Sequence, residues 1–149
     1  MFKIFKMWSY EIENILSEDK IFIGCYPHDT LPEIKDKVDC SVIINTGGYN
    51  TEGDHWVAVK MTKYNCFYFD SFGVEIVDEN IKQFVCRYDK VLYSNNCIQD
   101  IRSTKCGEFC IAFINYVNNI SEYERFINMF SESKMYLNDF IVHDLIRNK

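Results

Sequence analysis

The sequence predicts an α+β fold, in which a small antiparallel or mixed sheet packs against helices. The first observation is a pair of β-type runs, His55–Thr62 and Cys66–Asp70, joined by a short polar link, which is typical of an antiparallel hairpin. The second is Cys106–Asn119, the most hydrophobic segment of the chain. This segment lacks strand alternation and is longer than an ordinary strand, so we expect a buried helix at the centre of the fold.

Length and composition fit one domain with one core. The chain has 149 residues, of which 48% are hydrophobic and 16% aromatic, and we predict a single domain over residues 1–149. The net charge of −6, with lysines scattered among acidic residues, disfavours nucleic acid as a general partner. No apolar run approaches the roughly 18–20 residues of a membrane-spanning helix, so no membrane partner is expected.

The first half of the chain supplies a helix, a connection and a strand before the hairpin. Apolar residues recur at helical spacing across Trp8–Ser17, which predicts a short helix. Cys25–Pro32 is rich in turn formers and is predicted as a connection. Cys40–Thr46 is β-branched and continuously apolar, which predicts a buried strand, and Gly47–Asp54 follows it as a polar loop.

The remaining elements frame the central helix. Asp78–Cys86 is predicted to be helical, with Asp78 or Asp89 available near its ends as a polar terminator. Short strands are predicted at Val91–Tyr93 and Cys97–Ile101, and two amphipathic helices at Glu122–Phe130 and Lys134–Arg147.

The seven cysteines indicate free thiols in a reducing, intracellular setting. Their number is odd, their spacing is irregular and no N-terminal secretion signal is visible. A zinc site is disfavoured, because the chain has no CxxC pair and the spacing of Cys106 and Cys110 with His55 matches no zinc pattern. No metal and no cofactor is predicted.

Cys106 is the candidate nucleophile. It lies at the predicted start of the central helix, where backbone N–H groups and the helix dipole favour a thiolate. Gly107 follows it and would let a substrate approach the backbone closely. The alternative is a buried cysteine with a structural role only.

The hairpin and Gln99 supply the other groups that a cysteine nucleophile needs. His55 begins one strand and Asp70 ends the other, so a turn at Lys63–Asn65 places His55 opposite about position 73, within a few positions of Asp70. A carboxylate there can orient the imidazole and stabilise its protonated form. Gln99 precedes Cys106 by seven residues and is a candidate oxyanion donor. Taken singly, each of these residues also fits an ordinary polar role.

Two segments carry a resemblance to a known family. Ile44–Gly73 (INTGGYNTEGDHWVAVKMTKYNCFYFDSFG) contains an N-T-small-G loop, an H-W pair that opens a strand, and an acid before a small-F-G turn. Gln99–Cys110 (QDIRSTKCGEFC) continues with a glutamine and then Cys-Gly. In motifs and in their order, the chain resembles the adenoviral cysteine endopeptidases over roughly Phe22–Tyr116, and the related ubiquitin-like-protein proteases more distantly.

The resemblance implies a role for each matched residue. Cys106 would be the nucleophile, His55 the base, Asp70 the orienting acid and Gln99 the oxyanion donor. Trp56, beside the base, would narrow the cleft around small substrate residues, which implies a preference for Gly near the scissile bond.

The chain also departs from the adenoviral pattern. Those enzymes carry Glu at the position of Asp70, and the D-S-F-G turn is closer to the ubiquitin-like-protein proteases. The chain is shorter before Cys106, in the region where relatives attach an activating peptide through a disulfide, and Cys97 is the nearest candidate for such a bond. Relatives also use DNA, which the acidic charge argues against here.

The resemblance implies an endopeptidase that cleaves precursor proteins of a virus, or of a virus-like element, at Gly-containing sites during virion maturation. Its partners would be protein or peptide substrates, with a peptide activator left open. We expect it in the host cytoplasm or nucleus, or packaged in the virion. Two alternatives remain: a deubiquitinase or ubiquitin-like-protein deconjugating protease, and a catalytically silent binding module of the same fold.

Overall fold

The computed structural model describes residues 6–34, 36–48 and 55–148 and gives an α+β architecture, as predicted. Its strands are β1 (Phe22–Pro27), β2 (Cys40–Asn45), β3 (Trp56–Met61), β4 (Cys66–Phe69) and β5 (Val91–Tyr93). Its helices are α1 (Ser9–Ile15), α2 (Glu79–Val85), α3 (Cys106–Tyr116), α4 (Ile120–Asn128) and α5 (Asn138–Arg147), and α5 follows directly on a 3₁₀ turn at Met135–Leu137.

The five strands form one mixed sheet in the order β1-β2-β3-β4-β5. The two inner pairs, β2–β3 and β3–β4, are antiparallel, whereas β1 and β5 run parallel to their neighbours at the two edges. Side chains alternate between the faces, so Ala58 and Phe67 belong to the core around α3, whereas Val59 and Tyr68 belong to the core around α2. The sheet is therefore covered on both faces.

The predicted central helix is confirmed as α3. It begins at Cys106 and ends at Tyr116, and between Cys106 and Ile114 every residue except Glu108 is buried. The helix lies over β3 and is surrounded by α1, α4 and α5. Phe113 stacks on Phe69 of β4 with ring centroids 5.0 Å apart, which joins the helix to the hairpin.

Two segments differ from the prediction because tertiary hydrogen bonds decide their structure. The first part of Cys25–Pro32 is the end of β1, which pairs with β2 as an edge strand. An edge strand tolerates proline, and Pro27 is one of the residues that made this segment look like a turn in the sequence. Cys97–Ile101 is not a strand, because the backbone N–H groups of Ile98 and Gln99 both donate to the carbonyl of Ser71.

The predicted helix at Lys134–Arg147 is interrupted near its start. The 3₁₀ turn comes first and the α-helix begins at Asn138, whose fully buried side chain bonds both the N–H and the carbonyl of Ser131. The other predicted helices hold, and Asp78 accepts a hydrogen bond from the N–H of Ile81 at the start of α2, as a terminator should. Within the described ranges, no helix is both long and apolar enough to cross a membrane.

Lys60 joins the sheet to the C-terminal end of α3. Its side chain is buried, and Nζ donates to the carbonyl of Ile114 at 2.6 Å and to Oδ1 of Asn118 at 3.0 Å. We expect Lys60→Met to lower the free energy of unfolding by about 1–3 kcal/mol, because the stem still packs but the buried carbonyl of Ile114 loses its donor. Urea denaturation checks this, with exposed Lys63→Met as the control. Equal stability of the two variants would contradict the role.

Candidate active site

The hairpin brings His55 and Asp70 into direct contact. Ala58 pairs with Phe69 across β3 and β4, and continuing this register places His55 beside Phe72. Nε2 of His55 lies 2.7 Å from Oδ1 of Asp70, which also accepts the N–H of Phe72 at 2.9 Å. The Phe72 ring stacks on the imidazole with centroids 4.7 Å apart. The imidazole is thus held at one edge and on one face.

The surroundings of His55 favour its protonated form. Burial acts to lower the pKa of His55, but the hydrogen bond to Asp70 and the electrostatic influence of Asp70 and Cys106 outweigh it and raise the pKa to about 9. Nε2 faces Asp70, whereas Nδ1 on the other side of the ring is buried and has no hydrogen-bond partner in the described part of the chain. The arrangement suits an imidazolium held beside the carboxylate of Asp70.

Cys106 occupies the first position of α3 and is fully buried. Its backbone N–H belongs to the first turn, which has no intrahelical acceptor, so it is available to an outside oxygen. One turn further on, the thiol of Cys110 donates to the carbonyl of Trp56 at 3.3 Å, which fixes the helix against the strand that follows His55. The start of the helix and the start of β3 are thereby held together.

Gln99 is fully buried, and its side chain is fixed at both ends. Its Oε1 accepts the hydroxyl of Ser71, and its Nε2 donates to the carbonyl of Ser103 at 3.0 Å. A primary amide has two N–H donors, and the second has no partner among the residues that the structure describes. The oxyanion role of Gln99 stays a prediction, which this unpaired donor favours.

The first turn of α5 holds the loop between Gln99 and Cys106. Nδ2 of Asn138 donates to the carbonyl of Ile98 at 2.8 Å, and the hydroxyl of Ser103 donates to Oδ1 of Asp139 at 2.8 Å. Sequence reasoning missed Asn138 and Asp139, because nothing local distinguishes them from other polar helix starts. Ser71 was also missed, and the sequence feature that could have pointed to it is its place in the D-S-F-G turn.

Trp56 and Gly107 meet the N-terminal segment rather than open space. Trp56 is only 6% exposed, and its indole N–H donates to the carbonyl of Met7 at 3.0 Å. A Cβ on Gly107 would lie 3.3 Å from Cβ and Sδ of Met7 and 3.4 Å from Cδ1 of Ile12. Close packing therefore accounts for a glycine here, and the substrate-binding roles of both residues stay predictions.

All seven cysteines are free. Cys97 is exposed, and its thiol lies 3.4 Å from the carbonyl of Gln99. No group of three or more His, Cys, Asp or Glu side chains within residues 6–34, 36–48 and 55–148 is arranged to hold a metal ion. The loop predicted at Gly47–Asp54 lies, from residue 49 on, outside the described residues.

Comparison with known proteins gives a family match and two curated relatives. The family model described as adenovirus endoprotease matches residues 22–135. A protease of Human adenovirus B serotype 3 is 35% identical over 98 residues, which cover 54% of this chain and 46% of the relative. A protease of Human adenovirus A serotype 12 is 29% identical over 100 residues, covering 54% and 47%. The chain thus spans about half the length of the curated relatives it matches.

A solved structure supports the architecture. A crystal structure of a protease from ASFV aligns with 89% of this chain and 61% of its own, with a TM-score of 0.50 and 17% sequence identity. At that identity the likeness concerns the fold alone. The α+β arrangement of a mixed sheet with helices is therefore shared by the two chains.

Proposed function

This chain belongs to the adenovirus endoprotease family, and we propose that it is a cysteine endopeptidase that acts through Cys106, His55, Asp70 and Gln99. The observation that carries the proposal is the 2.7 Å contact between Nε2 of His55 and Oδ1 of Asp70, with the same imidazole interacting with Cys106. A base oriented by a carboxylate and facing a thiol at a helix start is the constellation that nucleophilic catalysis by cysteine requires.

The proposed reaction has two steps. The Cys106 thiolate attacks the carbonyl carbon of the scissile bond, and the developing oxyanion accepts hydrogen bonds from the backbone N–H of Cys106 and from Nε2 of Gln99. The His55 imidazolium then gives its proton to the leaving amine as the C–N bond breaks. In the second step, neutral His55 takes a proton from water, and the resulting hydroxide attacks the thioester carbonyl; the C–S bond breaks, which releases a carboxylic acid and regenerates the Cys106 thiolate and the His55 imidazolium.

The proposed substrates are precursor proteins of a virus or of a virus-like element, cleaved at Gly-containing sites. Both curated relatives are adenoviral proteases. The preference for glycine rests on the resemblance to the adenoviral enzymes, in which the aromatic residue beside the base narrows the cleft around small substrate residues. The setting that goes with this proposal is the host cytoplasm or nucleus, or the virion. A peptide activator, if one is used, would attach to the exposed thiol of Cys97.

A peptide panel with Gly-Gly and Gly-X sites tests the activity. We expect the wild-type chain to cleave some members under reducing conditions, and Cys106→Ala to cleave none, because the variant has no nucleophile. Cys86→Ala is the matched control, since it removes an exposed thiol and should leave cleavage unchanged. The panel is run with and without cysteine-containing candidate activator peptides, and iodoacetamide reports the reactivity of Cys106 separately.

Two outcomes would contradict the proposal. Cleavage of ubiquitin-like fusions but of no flexible peptide would assign the site to deconjugation of folded modifiers. Absence of all cleavage, together with a Cys106 that iodoacetamide does not modify, would indicate a binding module that retains the fold without the chemistry.

A further inference from the structure

We propose that Ser71 is a positioning residue that sets the orientation of the Gln99 amide, so that one N–H of Gln99 is presented to the oxyanion. This role rests on the proposed function, because it concerns the donor used in that reaction. The Ser71 hydroxyl would act on the side-chain amide of Gln99 and would take no part in the chemical step itself.

The hydrogen bonds around Gln99 leave its amide one orientation. The carbonyl of Ser103 can only accept, so the amide atom 3.0 Å from it must be the nitrogen. The hydroxyl of Ser71 then donates to Oε1 on the other side. Both Ser71 and Gln99 are fully buried, so water does not compete for these bonds. The single group left without a partner among the described residues is the second N–H of Gln99.

A buried N–H without a partner destabilises the folded state unless an acceptor binds it. Buried polar groups in folded proteins are nearly always paired, so a buried N–H without a protein partner calls for an explanation, and a catalytic role is one of them. Gln99 lies on the loop that leads to Cys106, and Asn138 and Asp139 hold that loop in place. An oxyanion formed at Cys106 is the acceptor that the proposed reaction would supply to this donor.

The turn at Asp70–Gly73 connects this donor to the base. Asp70 holds His55, while the carbonyl of Ser71 accepts the N–H groups of Ile98 at 2.9 Å and Gln99 at 3.1 Å. One short turn therefore fixes the base through a carboxylate and the amide through a hydroxyl. Without that hydroxyl, the backbone contacts remain but Oε1 loses its partner, and the amide can rotate away from the productive orientation.

Substitution of Ser71 tests this role by kinetics. We expect Ser71→Ala to lower kcat about 10-fold with little change in KM, since the donor acts in the transition state and its loss through Gln99→Ala should cost about 10²–10³-fold. In the Gln99→Ala background, Ser71→Ala should cause no further loss. Ser41→Ala is the matched control, because Ser41 is also fully buried but its hydroxyl has no partner within the described residues.

Two further measurements distinguish a positioning role of Ser71 from a general loss of active-site structure. The rate of Cys106 alkylation by iodoacetamide needs no oxyanion donor and should be unchanged in Ser71→Ala. Binding of a peptide aldehyde, whose adduct with the thiol mimics the tetrahedral intermediate, should weaken about as much as kcat falls.

The outcomes distinguish this role from the proposed function. A wild-type chain that cleaves no peptide overturns the proposed function and this role with it. A wild-type chain that cleaves, with Ser71→Ala equally active, overturns the positioning role alone. So does an equal loss on adding Ser71→Ala to wild type and to Gln99→Ala, because the hydroxyl would then act independently of the amide.

Discussion

Replacing Asp70 with asparagine is expected to lower kcat/KM by about 10²–10⁴-fold, the range that general acid–base assistance contributes. The amide has nearly the shape of the carboxyl group and can still accept the N–H of Phe72, so the turn should stay folded. What it removes is the negative charge beside the imidazole. His55 would then be less well oriented and less readily protonated, and Cys106 would lose the cation that faces it.

Asp70→Asn should also shift the pH dependence of kcat/KM in a definite direction. Because the pKa of His55 is raised to about 9, the imidazolium persists at neutral pH, and kcat/KM should fall as the pH rises through about 9. Asp70→Asn takes away a negative charge that raises this pKa, so the alkaline limb should move to lower pH. The alkylation rate of Cys106, followed over the same range, reports the same group without requiring a substrate.

Asp89→Asn serves as the control for charge, since Asp89 is an exposed carboxylate that follows α2. It should leave both the activity and the position of the alkaline limb unchanged. An Asp70→Asn variant whose limb stays near pH 9 would show that another group holds the proton on His55, even if the activity fell.

The family prediction is confirmed, and the sequence could support it because the motifs are local. The hairpin is encoded by β-branched and aromatic residues on both sides of a polar link, so the contact between His55 and Asp70 follows from pairing across it. The register sets His55 opposite Phe72, one residue from the predicted position 73. That difference places an aromatic ring on the imidazole, which no pattern within either strand would reveal.

Contacts between distant segments could not be predicted in the same way. β1 exists as a strand because it pairs with β2, and the predicted strand at Cys97–Ile101 is absent because its N–H groups bond to Ser71. Asn138 reaches that segment across 40 positions of sequence. Each of these bonds depends on where α5 and the turn lie in space, and single-residue propensities carry no information on that.

Gly73 lies close against the backbone of Asn95 and Asn96, and Gly73→Ala is expected to have the largest effect on stability. Gly73 has φ +73°, which L residues with a side chain adopt at a cost. A Cβ there would lie 2.7 Å from the carbonyl oxygen of Asn95 and 2.7 Å from the carbonyl carbon of Asn96. These are backbone atoms, so no side-chain rotation can relieve the collision.

We therefore expect Gly73→Ala to lower the free energy of unfolding by roughly 3–5 kcal/mol, as measured by urea denaturation. Gly48→Ala is the matched control, because the nearest atom there is a side-chain oxygen of Asp29 at 3.0 Å, which can move. Gly73→Asn separates the two causes, since asparagine tolerates a positive φ but still carries a Cβ. If Asn restored most of the stability, backbone conformation would be the cause; the contacts at 2.7 Å predict that it will not.

Gly73→Ala should also reduce activity in the molecules that remain folded. To make room for a Cβ, the turn must move away from Asn95 and Asn96, and Asp70 and Ser71 must move with it. His55 and Gln99 would then lose their partners together, whereas Asp70→Asn and Ser71→Ala each remove one. A Gly73→Ala protein with wild-type kcat at a temperature where it is fully folded would show that the turn does not position the catalytic groups.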